Sequence, residues 1–153
     1  MSRREQIRMS PDEVAAFLAE ARTLQVATIN PDGTPHLVAM WFAMRDADPA
    51  FWTYAKSQKI ANLRRDPRIS VLVESGDRYE ELRGVSFVGH VELVEDRAAV
   101  LELGEQIFER YWGPITDDAV RGGVHAMGAK RVGVIVRPEK TVSWDHRKLG
   151  GVY

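Results

Sequence analysis

The run Tyr54-Ala55-Lys56-Ser57-Gln58-Lys59-Ile60-Ala61-Asn62-Leu63-Arg64-Arg65-Asp66-Pro67-Arg68-Ile69-Ser70-Val71 packs a strand, a helix and a second strand into a short length of chain. The aromatic segment Ala50 to Ala55 reads as a strand. Ser57 to Arg65 reads as a short helix, with Ile60 and Leu63 on one side and Asp66-Pro67 as its stop. From Arg68 to Glu74 the pattern changes to strict alternation, with Ile69, Val71 and Val73 on one face of a half-buried strand.

Upstream, Ser10-Pro11-Asp12-Glu13 has the residues of a capping box with proline in the first turn. Val14, Phe17, Leu18 and Ala21 then recur at helical spacing, and the helix is expected to end near Arg22. Residues 1–9 read as a flexible leader. Leu24 to Ile29 is a strand, and Asn30-Pro31-Asp32-Gly33 has the chemistry of a tight turn. Thr34 to Met44 reads as one long strand completing a hairpin, and Asp46-Ala47-Asp48-Pro49 breaks it. Downstream, Leu82 to Val94 alternates through Val85, Phe87 and Val91. Glu95 to about Tyr111 and Thr116 to about Met127 read as helices. Arg131 to Val136 is a strand, continued past Pro138 by Lys140 to Trp144. About six strands with few, short helices predict a mainly β, α+β barrel with helical decoration. The hairpin at Pro31-Gly33 argues against a parallel doubly wound sheet.

Composition places the chain among ordinary globular proteins: 153 residues, 44% apolar, 28% charged, net charge −1 and no cysteine. Near-neutral charge argues against a dedicated nucleic-acid binder. The absence of cysteine excludes disulfides, thiolate metal sites and cysteine nucleophiles. No apolar run approaches the roughly 18 residues needed to span a bilayer, and no apolar stretch of a signal peptide follows the basic N-terminus. The expectation is a cytoplasmic protein without membrane or nucleic-acid partners.

The strongest chemical candidate is Lys56-Ser57-Gln58-Lys59, where strand gives way to helix. Free backbone N–H groups at a helix start attract anions, and the helix dipole adds to the attraction. Ser57 offers a hydroxyl donor; Lys56 and Lys59 offer compact positive charges. Two readings stand: a phosphate site, or a capped helix with solvated lysines. Arg64, Arg65 and Arg68 likewise read either as a solvated face or as a groove for an acidic ligand tail. Trp41, Trp52, Trp112 and Trp144 are core candidates first, and Trp41 or Trp144 is a candidate wall for a flat ring. His36, His90, His125 and His146 show no metal-ligand spacing. No nucleophile elbow or dinucleotide fingerprint is present.

The quoted run resembles the signature region of the pyridoxamine-phosphate-oxidase-like split-barrel superfamily, in which a lysine cluster and a short helix ending in Asn/Asp-Pro-Arg precede a central strand. Ala27 to His36 resembles that superfamily's opening hairpin and Leu82 to Leu93 its long strand, in the expected order. The resemblance implies a six-stranded antiparallel split β-barrel of Greek-key topology. It also implies a homodimer with cofactors at the subunit interface. Asn62-Leu63-Arg64-Arg65-Asp66-Pro67-Arg68 is most similar to the small enzymes that use the deazaflavin coenzyme F420, with FMN as the alternative cofactor. On that pattern Leu37, Val38, Ala39, Met40 and Trp41 lie along the cofactor ring. Lys56, Ser57 and Lys59 hold the phosphate, Arg64 belongs to the basic run facing the acidic tail, and Trp144 reaches the partner's site. The implied activity is hydride transfer between the deazaflavin and a small conjugated or unsaturated substrate, with His36 and Arg147 as candidate proton donors. Pyridoxamine-phosphate oxidases close on an arginine-containing motif ending in proline; Trp144-Asp145-His146-Arg147-Lys148-Leu149-Gly150-Gly151-Val152-Tyr153 does not, which argues against vitamin-B6 oxidation. A non-catalytic cofactor or haem carrier is the alternative outside enzymology.

Overall fold

A computed structural model describes residues 1–151; Val152 and Tyr153, the end of the polar tail, lie outside the described residues. A short helix α1 (Arg3–Gln6) precedes α2 (Pro11–Glu20). Ser10 caps α2 through the expected capping box: its Oγ accepts from Glu13 N, and Glu13 Oε2 accepts from Ser10 N at 2.6 Å. Between the helices Met9 is buried and its N–H donates to Ser143 Oγ at 3.1 Å, so the 1–9 segment is tied to the body of the fold.

The strands are β1 (Leu24–Ile29), β2 (Pro35–Met40), β3 (Ala43–Arg45), β4 (Asp48–Tyr54), β5 (Arg68–Ser75), β6 (Arg83–Val94) and β7 (Arg131–Asp145). They form one antiparallel sheet in the order β2-β1-β5-β6-β7-β4-β3, curled into a half-barrel. Seven strands replace the six expected, because Thr34 to Met44 is not one strand. Phe42 turns fully into the core, and its N–H donates to the Tyr111 hydroxyl at 3.2 Å instead of to a neighbouring strand. The chain therefore leaves the β1 ladder at Met40 and starts a new hairpin, in which Arg45 pairs with Asp48. Asp46 takes a positive φ of 55° in that turn, a conformation aspartate tolerates better than most residues. β7 runs unbroken past Pro138, where a bulge opposite Val88 and Gly89 accommodates the missing donor.

Helix α3 (Gln58–Arg65) follows β4; α4 (Arg97–Trp112) and α5 (Asp118–Gly128) lie between β6 and β7. Asp96 and Asp117 cap α4 and α5 through Ala99 N at 3.0 Å and Ala119 N at 2.6 Å. The main core lies inside the curved sheet, with Val26, Val71, Val85, Val134 and Phe51 almost fully buried. A smaller cluster of Ala43, Ala50, Leu103, Ile107 and Ile135 seats α4 on the outer side of β3 and β4. Asn62 anchors α3: it is completely buried, its Nδ2 donates to Thr28 Oγ1 and to Asn30 Oδ1 at 3.0 Å, and its Oδ1 accepts from Gln58 at 2.9 Å. Among the described residues no helix is long and apolar enough to cross a membrane.

Candidate functional site

The start of α3 is a helix end without a side-chain cap. Ser57 holds the extended N-cap conformation, φ −70° and ψ 155°, yet its hydroxyl makes no capping bond. That Oγ is shielded from solvent and has no hydrogen-bond partner among the described residues. A shielded hydroxyl beside uncapped helical N–H groups fits an anion, because it supplies donors in want of an acceptor. Lys56 stands exposed next to it. Lys59, one turn further on, reaches back to β4, where its Nζ donates to Thr53 Oγ1 at 3.0 Å. Half-burial pushes the Lys59 ammonium below its ordinary pKa, and among the described residues no carboxylate pairs with it.

Lys59 opens into a pocket of 360 Å³ between β4, the end of β2 and helices α4 and α5. The size is that of a small-ligand site. Of the residues expected from sequence, Met40, Trp41 and Lys59 meet here. Trp41 stacks on Tyr111 at 4.2 Å between ring centroids and meets Trp112 edge-on at 4.8 Å. Trp52 forms the floor, and its indole fits only because Gly104 and Gly128 lack a Cβ. Glu105 ties α4 to α5 by accepting from His125 at 2.5 Å and from Arg121; these hydrogen bonds hold its carboxyl below the usual range.

The other expected residues lie apart. Leu37 and Ala39 are exposed on the outer face of β2, whereas Val38 and Met40 lean on the core, so the five residues 37–41 divide between two faces. His36 is half-buried, and its Nδ1 is shielded without a partner among the described residues. The basic run is occupied within the chain: Arg64 pairs with Glu95 at 2.5 Å, Arg65 donates to the Ile29 carbonyl, and Arg68 pairs with Asp66 at 2.7 Å. Trp144 stands opposite Gly84 across the β6–β7 ladder, and its indole covers that glycine. Arg147 is paired with Asp145 at 2.6 Å. Sequence reasoning missed Arg131, which follows α5 and opens β7, and Tyr111, whose hydroxyl donates to the Arg22 carbonyl at 2.6 Å. Neither sits in a motif; both acquire a role only from what packs against them. Among the described residues no group of three His, Asp or Glu side chains could hold a metal.

An antiparallel half-barrel with an uncapped, lysine-flanked helix start beside an aromatic pocket has the build of a split barrel. The chain belongs to the pyridoxamine 5'-phosphate oxidase family, whose model matches residues 10–145. The conserved hypothetical protein Rv2991 of Mycobacterium tuberculosis is 50% identical, with a TM-score of 0.93 over 100% of this chain and 95% of that one. An F420 reductase is 30% identical, with a TM-score of 0.65 over 86% of this chain and 98% of that one. The heme storage protein HutZ of Vibrio cholerae shares the fold at 19% identity and a TM-score of 0.68, covering 90% of this chain and 96% of that one. No curated protein sequence matches the chain.

Proposed function

We propose that the protein is a cytoplasmic F420-dependent oxidoreductase that transfers a hydride between the deazaflavin and a small conjugated or unsaturated substrate. The observation that carries the reading is the start of α3, where the shielded Ser57 hydroxyl, without a partner among the described residues, meets uncapped N–H groups beside Lys56 and Lys59. Preference for F420 over FMN is supported by the 30% identity to an F420 reductase over 86% of this chain and 98% of that one.

The deazaflavin, when bound, supplies two-electron hydride chemistry in its own ring. The chain's residues bind and orient. Ser57 and the first N–H groups of α3 hold the phosphate, with Lys56 and Lys59 as counter-charges. Met40 and Trp41 offer an apolar wall at the same end of the barrel, and α4 and α5 form the facing wall of the pocket. The reading includes a homodimer, in which the exposed Leu37 and Trp41 of the β2 face become covered.

Titration of the purified protein with F420 and, separately, with FMN tests the assignment by fluorescence. Saturable F420 binding that weakens strongly in Lys59→Ala is the expected result. Unchanged affinity in Lys59→Ala overturns the phosphate assignment, and tighter binding of FMN overturns the choice of cofactor. Light scattering of the same sample should give twice the chain mass.

A further inference from the structure

The aromatic pocket holds a second cation that the phosphate reading does not use. Arg131 opens β7 directly opposite Tyr54 in the β4–β7 ladder. Its guanidinium lies 4.5 Å from the Tyr54 ring centroid and 4.9 Å from that of Trp52. One nitrogen, Nη1, donates to the Met127 carbonyl at the end of α5, which fixes the group in place. Nε and Nη2 have no protein acceptor among the described residues, and no carboxylate pairs with Arg131 there.

Among the described residues the pocket lining contains no aspartate or glutamate. Its walls are flat: Trp41, Trp52, Tyr54, Phe108 and Trp112 surround the cavity. An aromatic lining of this kind favours a flat, conjugated body. A held guanidinium with an Nε–Nη2 edge to spare selects a planar anion, and a carboxylate matches that edge with two parallel hydrogen bonds. At 360 Å³ the space suits a molecule of one or two fused rings with a short acidic arm.

We infer that this pocket is the substrate subsite and that it takes a small, planar conjugated carboxylic acid, with Arg131 as the counter-charge of the carboxylate. The inference rests on the cofactor reading above, because it names the substrate class of that same site. Arg131 is the specificity-determining residue in this scheme, and Lys59 stays with the cofactor phosphate.

Calorimetric titration with trans-cinnamate and with its neutral isostere cinnamamide separates the possibilities. The wild-type protein should bind cinnamate at least about tenfold more tightly than the amide, a margin of about 1.4 kcal/mol. In Arg131→Gln the two should bind alike, and Arg131→Lys should recover part of the preference. Circular dichroism establishes that the variants fold. F420 affinity should be the same in Arg131→Gln as in the wild type. Equal binding of acid and amide by the wild type, no binding of either, or a preference that survives in Arg131→Gln overturns the inference. Loss of F420 affinity in Arg131→Gln also overturns it, because Arg131 then serves the cofactor, and the cofactor reading stands. A protein that prefers cinnamate but binds no F420 sinks the cofactor reading instead and leaves the carboxylate subsite intact.

Discussion

The Lys59 ammonium donates to Thr53 Oγ1 at 3.0 Å, and the hydroxyl is the one protein partner its hydrogen-bond geometry provides among the described residues. A half-buried cation facing an oxygen without charge is held at a disadvantage that burial imposes and no carboxylate offsets. Lys59→Met should therefore raise the melting temperature of the ligand-free protein while weakening F420 binding. The sign with pH follows from the lowered pKa. Below it the folded protein carries the disfavoured charge; as pH rises through it toward the unfolded value near about 10.4, the wild type gains stability relative to the variant. Thermal melts of both proteins from neutral to alkaline pH check this, and a variant less stable than wild type at neutral pH refutes it.

Gly104 sits against the indole of Trp52, in the space a Cβ would need. Gly104→Ala sets two effects against each other. Alanine favours the middle of a helix by about 1 kcal/mol over glycine, whereas overpacking a tight site costs about 1–3 kcal/mol. The clash at Gly104 falls on three atoms of the indole ring, so Trp52 must move as a whole to relieve it. Overpacking should win. A lower melting temperature and a changed near-ultraviolet tryptophan signal are expected, together with weaker binding of any ligand of the pocket.

The element order was largely legible because periodicity and turn chemistry are local. Ser10-Pro11-Asp12-Glu13 and Pro31-Asp32-Gly33 each state their own structure. The break at Trp41-Phe42 was not legible: Thr34 to Met44 is continuously strand-like, and the turn there is imposed by the Tyr111 hydroxyl, contributed from 69 residues away. The site divides in the same way. The helix start at Ser57 was readable from adjacent residues. The engagement of Arg64 by Glu95 was hidden, since these residues meet only after α3 and the end of β6 come together. Arg131 was silent for the same reason, as its aromatic neighbours come from β4.

Asn62 joins α3 to the first hairpin through Thr28 and Asn30 while completely buried. Asn62→Ala removes these bonds and leaves the buried Thr28 hydroxyl without its donor. A buried polar group left unsatisfied costs about 1–3 kcal/mol. At about 2–4 °C per kcal/mol for a chain near this size, the melting temperature should fall by several degrees. The start of α3 should loosen with it, so amide exchange at Gln58 to Ala61 should accelerate more than exchange in β6.

Asp66, which stops α3, has a carboxyl held well below its ordinary pKa. Hydrogen bonds from the Arg68 side chain and backbone bring it down to about 2. Arg68 is charged throughout the accessible range, so the proton equilibrium of the pair belongs to Asp66. With an unfolded value near about 3.9, the unfolded chain binds the proton first as pH falls. The contribution of the pair is therefore fully present above about pH 4–5 and is lost between there and about pH 2. Asp66→Asn should accordingly differ from wild type in stability by a constant amount near neutrality, and the difference should shrink through that acid window. Arg68 is solvent-exposed and Asp66 only half-buried, so high salt should shrink it too. A carboxyl-detected titration of Asp66 supplies the direct check: an inflection near about 4 would mean that the Arg68 pair does not persist in solution and that Pro67 alone ends the helix.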